Sequence, residues 1–401
     1  MNQNKRIHAI DGIRGFSLLG ILLANLLIFQ YGIWGKDEID FYNISGIDKW
    51  SYAFTKIAIE GSFLPIFTFL FGYSLIKMRD SLERKQLRIK SHLFRRSLIL
   101  IVFGYIHATY LWEGDILTLY GVMGILLLIF VNRKAKTMLI WSIILFSFLG
   151  LSSLFSFSEE ENDPFTIIDF EPYLEETTEI YSHGDYAEIK EHRNNGDDPM
   201  FDKLEDEKLG IILLLLPFTI APMFLLGMYA GKMEWFSRPR KEKRMYLRGA
   251  IICLLLGFIL KSYSYFQNSD GAIIIGEILL ALGYIFLFGI FYSKIKTGKL
   301  LRPLENVGKL SLTNYIMQTV ICTTIFYGYG IGLFAQLGVT WGLLLGIAIF
   351  GAQVIFSTLY LKRFRYGPLE KILRIGTYLS FSSKNKKRLR KKERLTEERV
   401  G

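Results

Sequence analysis

Apolar residues along this chain gather into runs of about twenty, the length an α-helix needs to cross roughly 30 Å of hydrocarbon. Ten such runs stand out: Gly12–Tyr31, Ile57–Ile76, Ser97–Trp112, Ile116–Val131, Met138–Phe157, Leu209–Gly231, Ala250–Phe266, Ala272–Tyr292, Leu310–Phe334 and Val339–Leu361. The third and fourth are short and joined by WEGD, which predicts a tight helical hairpin. Backbone N–H and C=O groups cannot go unpaired in lipid, so each run is expected to be helical. The expected fold is an all-α integral membrane bundle of about ten transmembrane helices.

Composition agrees with the pattern. Of 401 residues, 51% are hydrophobic and 15% aromatic, with a mean hydropathy of +0.29, too apolar for a soluble chain of this size. The chain divides into 1–157 with five spans, an acidic loop over 158–208, five more spans over 209–361, and a basic tail over 362–401.

Charge gives the expected orientation. Lys77 to Arg96 holds eight basic and two acidic residues, and RKAK, RPRKEKRMYLR and KIKTGKLLR occupy alternate later loops. The tail from Lys362 has fourteen basic residues against four acidic, whereas the Ser158 to Lys208 loop has eighteen acidic against four basic. Basic residues resist translocation, so both termini are expected to be cytoplasmic. Contact with anionic lipid accounts for the KNKKRLRKKER tail without a nucleic acid. The first run lacks a cleavage site of small residues and reads as a retained helix. The abundance of lysine fits a bacterial cytoplasmic membrane.

The usual soluble chemistries have no foothold. Cys253 and Cys322 are isolated, which gives neither a metal spacing nor a disulfide framework, and no metal is expected. No H-E-x-x-H, G-x-S-x-G or Walker A sequence occurs. PYLEETTEIYSHGDYAEIKEH in the acidic loop predicts one or two short amphipathic helices.

Polar residues inside the spans carry the chemical signal, because each costs a few kcal/mol in hydrocarbon and must face protein, water or a partner. Asp11 stands where a helix cap belongs. Arg14 and Asn25 follow on the first helix, eleven residues or roughly 16 Å apart in depth. His107 is the one histidine of five expected within a span, and Asp115 lies eight residues later across the WEGD turn. A carboxylate that close holds an imidazole in one tautomer and raises its basicity, as a general base requires. Glu60 enters the second helix shortly before Pro65, which is expected to kink it, and Lys261 and Glu277 are candidates to pair. Asn314 and Gln318 share a helix face, where they either line a cavity or staple helices.

RIHAIDGIRGFSLLGILLANL, SFLPIFTFLFGYSL, RRSLILIVFGYIHATYLWEGDILTLYG, NVGKLSLTNYIMQTVICTTIFYGYGIGLF and RFRYGPLEKILR resemble, in order, successive blocks of the YeiB-like family of bacterial multi-pass membrane proteins. That family has no settled biochemical function. The spacing from Arg14 to Asn25 and the SFLPIFTFLFG block also resemble the transmembrane acyltransferases of the heparan-α-glucosaminide N-acetyltransferase type, whose corresponding asparagine belongs to the active site. The chain departs from those enzymes in having Lys36 where their catalytic histidine stands, and from the YeiB-like block in having Ser62 where lysine is common.

The resemblance implies acyl transfer. Arg14 and the basic loops would draw the phosphates of a cytoplasmic acyl-CoA donor, with Asp11, Glu60, Asn314 and Gln318 binding substrate. His107, oriented by Asp115, would deprotonate a small-molecule or lipid-linked hydroxyl or amine acceptor. Asn25 would hydrogen-bond the oxyanion, a contact of about 3 kcal/mol if preorganised. Membrane lipid is the expected environment, and a homodimer is left open. The competing reading is a transporter of a small solute or lipid-linked intermediate, with Pro65, Pro217 and Pro222 as broken gates. A scaffold whose polar residues only specify packing is the third.

Overall fold

The computed structural model describes residues 8–156, 169–196, 199, 206–237, 239–267, 270–294 and 301–380. Fifteen α-helices and no strand occur among the described residues. They are α1 (His8–Gly35), α2 (Ile47–Phe54), α3 (Phe63–Arg84), α4 (Ile89–Tyr110), α5 (Leu117–Leu126), α6 (Ala135–Ser156), α7 (Glu171–His183) and α8 (Tyr186–Asn195). Then follow α9 (Asp206–Lys232), α10 (Pro239–Gln267), α11 (Ile273–Lys294), α12 (Arg302–Lys309), α13 (Ser311–Phe326), α14 (Val339–Arg363) and α15 (Pro368–Tyr378). Phe157 and the basic tail beyond Ser380 lie outside the described residues.

Seven segments among the described residues are long and apolar enough to cross a membrane: α1, α2 to α3 taken together, α6, α9, α10, α11 and α14. Three expected spans fall short of that mark. The apolar part of α4 starts only after Arg95 and Arg96, α5 has 10 residues, and α13 has 16. The run Leu310–Phe334 does not continue as one helix. After Phe326 the backbone turns back on itself, with Ile331 N–H donating to Thr324 O at 2.8 Å and Leu333 N–H to Ile325 O at 3.2 Å.

α1 is the central post. It packs against α3, α11, α12, α13 and α14, and two faces of it belong to two cores. Ile13, Ile21 and Ala24 meet Phe63, Phe69 and Ile285, while Leu18, Leu22 and Phe29 meet Phe326, Phe334 and Ile349. The approach of α12 requires glycine: a Cβ on Gly308 would stand 1.9 Å from Asp11 O. Such contacts let backbones touch where lipid supplies no hydrophobic drive for helix association.

Pro65 sits in the first turn of α3, where its missing N–H costs no helical bond, so it starts a helix rather than kinking one. The break lies just before it, in one π-helical turn (Thr55–Ile59) followed by Gly61 at φ +69°. α9 runs unbroken through Pro217 and Pro222. The acidic loop supplies two helices, α7 and α8, joined by a capping box in which Asp185 accepts from Ala187 and Glu188 N–H and the Glu188 carboxylate accepts from Asp185 N–H.

Candidate functional site

A cavity of about 320 Å³ opens between α1, α3, α4, α5, α13 and α15. Its polarity follows from where each helix delivers its residues. α1 contributes Arg14, then Leu18 and Ile21 deeper along the axis; α4 contributes Arg96, then Leu100; the chain from α12 to α13 contributes Lys309, then Leu312 and Tyr315. α15 crosses the same end with Arg374, Glu370, Tyr366 and Tyr378. The charged groups therefore ring one end, four cations to one carboxylate. The other end is walled by Phe67, Leu100, Ile116, Leu117 and Tyr315.

The cations are held in different ways. Arg14 donates to Ser74 Oγ at 2.8 Å and to Asp11 Oδ1 at 3.3 Å. Arg374 lies over the rings of Tyr366 and Tyr378, at 5.0 and 5.1 Å. Arg96 has no hydrogen-bond or ion-pair partner among the described residues, although it lines the cavity. Glu370, the one carboxylate, is engaged in capping α13: it accepts from Leu312 N–H, Thr313 N–H and the Thr313 hydroxyl. The ring is thus strongly attractive to an anion.

Beyond the apolar end lies the hairpin predicted from WEGD. His107 is 1% exposed, and its Nδ1 stands 3.1 Å from Asp115 Oδ1. Asp115 also accepts from Leu117 N–H at 3.1 Å and Thr118 N–H at 2.8 Å, so it caps α5. Burial raises the Asp115 carboxyl, but the bonds from His107, Thr118 and Leu117 outweigh it and hold the group below the usual carboxylate range. His107 Nε2 meets Thr319 Oγ1 at 2.9 Å. Tyr315 belongs to both regions: it lines the cavity, its ring centroid is 5.2 Å from that of His107, and its hydroxyl donates to Gly114 O.

The remaining residues singled out from the sequence are placed elsewhere. Asn25 is half-buried on α1, does not line the cavity, and its side chain makes no hydrogen bond among the described residues. His107 and Asp115 stand behind the wall of this cavity rather than in it, so none of these three groups lines it. Asn314 donates to Val307 O and Ser357 Oγ, and Gln318 donates to Gln353 Oε1 at 2.9 Å; both staple α13 to its neighbours. Glu60 accepts from Lys36 at 2.8 Å and pairs with Lys56 at 2.7 Å, while Asp37 pairs with both lysines. Lys261 donates to Glu60 O and stands 4.0 Å from Glu277, beside the π-helical turn.

α7 and α8 cover the hairpin. Arg193 donates to Thr109 O at 2.9 Å and Leu111 O at 3.2 Å, satisfying carbonyls left open at the end of α4. Its Nε is 3.9 Å from Glu113, whose carboxyl burial pushes up from its ordinary value. Tyr186 donates to Tyr110 O, and Gly328 N–H donates to Tyr181 O. Sequence reading missed Arg193, Thr319, Arg96 and Arg374. The cationic RR pair at the head of α4 and the RFRYGPLEKILR block were in view only as topology and resemblance; Thr319 carries no local signal at all.

Residues 230–380 match the family described as "Protein of unknown function (DUF418)". Over nearly its whole length the chain is similar to "Uncharacterized protein YxaH" of Bacillus subtilis (strain 168), 31% identical over 402 residues, which cover 96% of this chain and 97% of that protein. It is also similar to "Uncharacterized protein YeiB" of Escherichia coli (strain K12), 28% identical over 393 residues, covering 90% and 93% of the two chains.

Proposed function

The chain belongs to the DUF418 family, the YeiB-like proteins, and on that premise we propose that it is a membrane-embedded acyltransferase of the bacterial cytoplasmic membrane. In this reading ten helices span the bilayer, with both termini in the cytoplasm. A cytoplasmic acyl-CoA or similar thioester enters the cavity, its phosphates at Arg14, Arg96, Lys309 and Arg374 and its apolar arm along Leu18, Phe67 and Leu100. The cavity volume takes the thioester arm and leaves the nucleotide at the mouth. His107, oriented by Asp115, acts as general base for a hydroxyl or amine acceptor arriving from the opposite face beneath α7 and α8.

One observation carries the reading: the polarity gradient of the cavity, cationic at one end and apolar at the other, ends at Tyr315 against an oriented imidazole–carboxylate pair. A phosphate-bearing thioester needs that order of groups. Asn25 has no part in it. The transporter reading loses two of its three proposed gates, since α9 continues through Pro217 and Pro222.

The test is thiol release. Protein in lipid nanodiscs, supplied with acetyl-CoA or palmitoyl-CoA, is expected to liberate coenzyme A, and His107→Ala is expected to lose at least a hundredfold in that rate. A His107→Ala variant that releases thiol at the wild-type rate removes the base, and proteoliposome counterflow of an unmodified solute would favour transport instead.

A further inference from the structure

We propose that Thr319 is the nucleophile of this site, and that acyl transfer passes through an ester on its hydroxyl. The proposal rests on the transferase reading above and adds a covalent intermediate to it.

The argument starts from proton bookkeeping on His107. Asp115 is an acceptor on every side, taking N–H groups from Leu117 and Thr118. Its bond to His107 Nδ1 therefore requires the ring proton on Nδ1. In the neutral ring Nε2 is then a bare lone pair, and the 2.9 Å contact with Thr319 Oγ1 is satisfied by the threonine hydroxyl donating. Carboxylate, imidazole and hydroxyl stand in that order at 3.1 and 2.9 Å. A nucleophile hydrogen-bonded to a base that a third group orients is the recognisable signature of an activated hydroxyl.

The orientation of Thr319 is not the helix default. Hydroxyls inside helices commonly bond the carbonyl one turn back, and in this chain Ser17, Thr55, Thr324 and Thr377 do so at 2.6–2.8 Å. Thr319 directs its hydroxyl across the bundle to a residue 212 positions away. It also occupies the one position the general base faces. For His107 to act on any other hydroxyl, Thr319 would have to be displaced from Nε2 first.

The donor side is adjacent. Tyr315, one turn before Thr319 on the same face of α13, lines the cavity, and Ile116 and Leu117 beside Asp115 line it too. Tyr315 stands between the cavity and the Thr319 hydroxyl, and the proposed attack requires its side chain to swing aside. In the first step Thr319 Oγ attacks the thioester carbonyl as its proton passes to His107 Nε2. The carbon–sulfur bond breaks, and the leaving thiolate takes that proton from the imidazolium. In the second step His107 removes the proton of the acceptor hydroxyl or amine, which attacks the Thr319 ester. The ester C–O bond breaks and the threonine oxygen recovers the proton from His107.

The test uses the full chain in lipid nanodiscs with acetyl-CoA or palmitoyl-CoA, no acceptor, acid quench and peptide mapping. An ester is expected on Thr319, stable to neutral hydroxylamine and removed by alkali. Thr319→Ser is expected to keep the label within tenfold, while Thr319→Val and His107→Ala lose it at least a hundredfold. Retention by the serine variant guards against reading misfolding as chemistry. Thiol release by wild type without an ester on Thr319, or undiminished release by Thr319→Val, overturns the covalent route and leaves the transferase reading standing. Absence of thiol release from either donor overturns both.

Discussion

Replacing Asp115 by asparagine separates what this residue does for the fold from what it does for the imidazole. Asp115 uses both oxygens: Oδ1 accepts from His107 and Leu117 N–H, and Oδ2 accepts from Thr118 N–H. An amide keeps only one of those sides. With its oxygen toward His107, the NH₂ group faces the Thr118 N–H and one capping bond is lost, at about 1 kcal/mol. With its oxygen toward Thr118, the NH₂ donates to Nδ1 and moves the ring proton to Nε2, where a base needs its lone pair. In both cases the imidazolium formed during reaction loses its carboxylate. At about 4 Å and an effective dielectric of about 20, that attraction is about 4 kcal/mol, or roughly a thousandfold in rate. The expected outcome is a protein with a thermal midpoint within a few degrees of wild type, and with thiol release from acetyl-CoA or palmitoyl-CoA down by about three decades. A folded Asp115→Asn variant that turns over within threefold of wild type would refute the assignment of His107 as an oriented base.

Three further outcomes follow from the geometry. Arg193→Ala removes two charge-assisted bonds to the end of α4, about 3 kcal/mol together; amide exchange across residues 171–195 should accelerate roughly a hundredfold, and unchanged protection would mean that α7 and α8 are held by something else. Burial holds the His192 imidazole below its ordinary value, opposed by Glu176, with Thr177 on Nε2 and Tyr173 and Tyr181 against the ring. The neutral ring is the folded form, so this stability is complete above about pH 6.5 and is lost as pH falls below it; exchange in α7 and α8, corrected for intrinsic rates, should rise from pH 7.5 to 5.5 in wild type and not in His192→Gln. Arg96→Ala takes from the cavity mouth a cation with no hydrogen-bond or ion-pair partner among the described residues and should raise the KM for acyl-CoA about tenfold with kcat within twofold, whereas an equal fall in kcat would place Arg96 at the reacting carbonyl.

What the sequence made legible was whatever depends on local order. Apolar runs located α1, α6, α9, α10, α11 and α14, and the eight-residue spacing of His107 and Asp115 across a tight turn foretold a contact that forms at 3.1 Å. A hydropathy window failed at α13, because Tyr327 to Phe334 is as apolar as a helix yet folds back to meet α7 through Gly328. Three glycines in six residues were the overlooked signal there. Asn25 was given a catalytic part by the resemblance to the transmembrane acyltransferases, but its rotation about α1 leaves it off the cavity wall. The cation ring and the Thr319 contact were illegible for one reason: they join residues separated by hundreds of positions, and only packing brings them together.

That separation reaches its extreme in the cavity wall, which takes Arg14 from one end of the chain and Tyr378 from the other. During synthesis the early helices enter the bilayer long before the ribosome has delivered α15. Until that last amphipathic segment docks, Arg14 and Arg96 face an open vestibule with no roof. A nascent chain halted before Pro368 would hold every spanning helix and still lack a closed chamber, so competence arrives in a single late event and not by degrees.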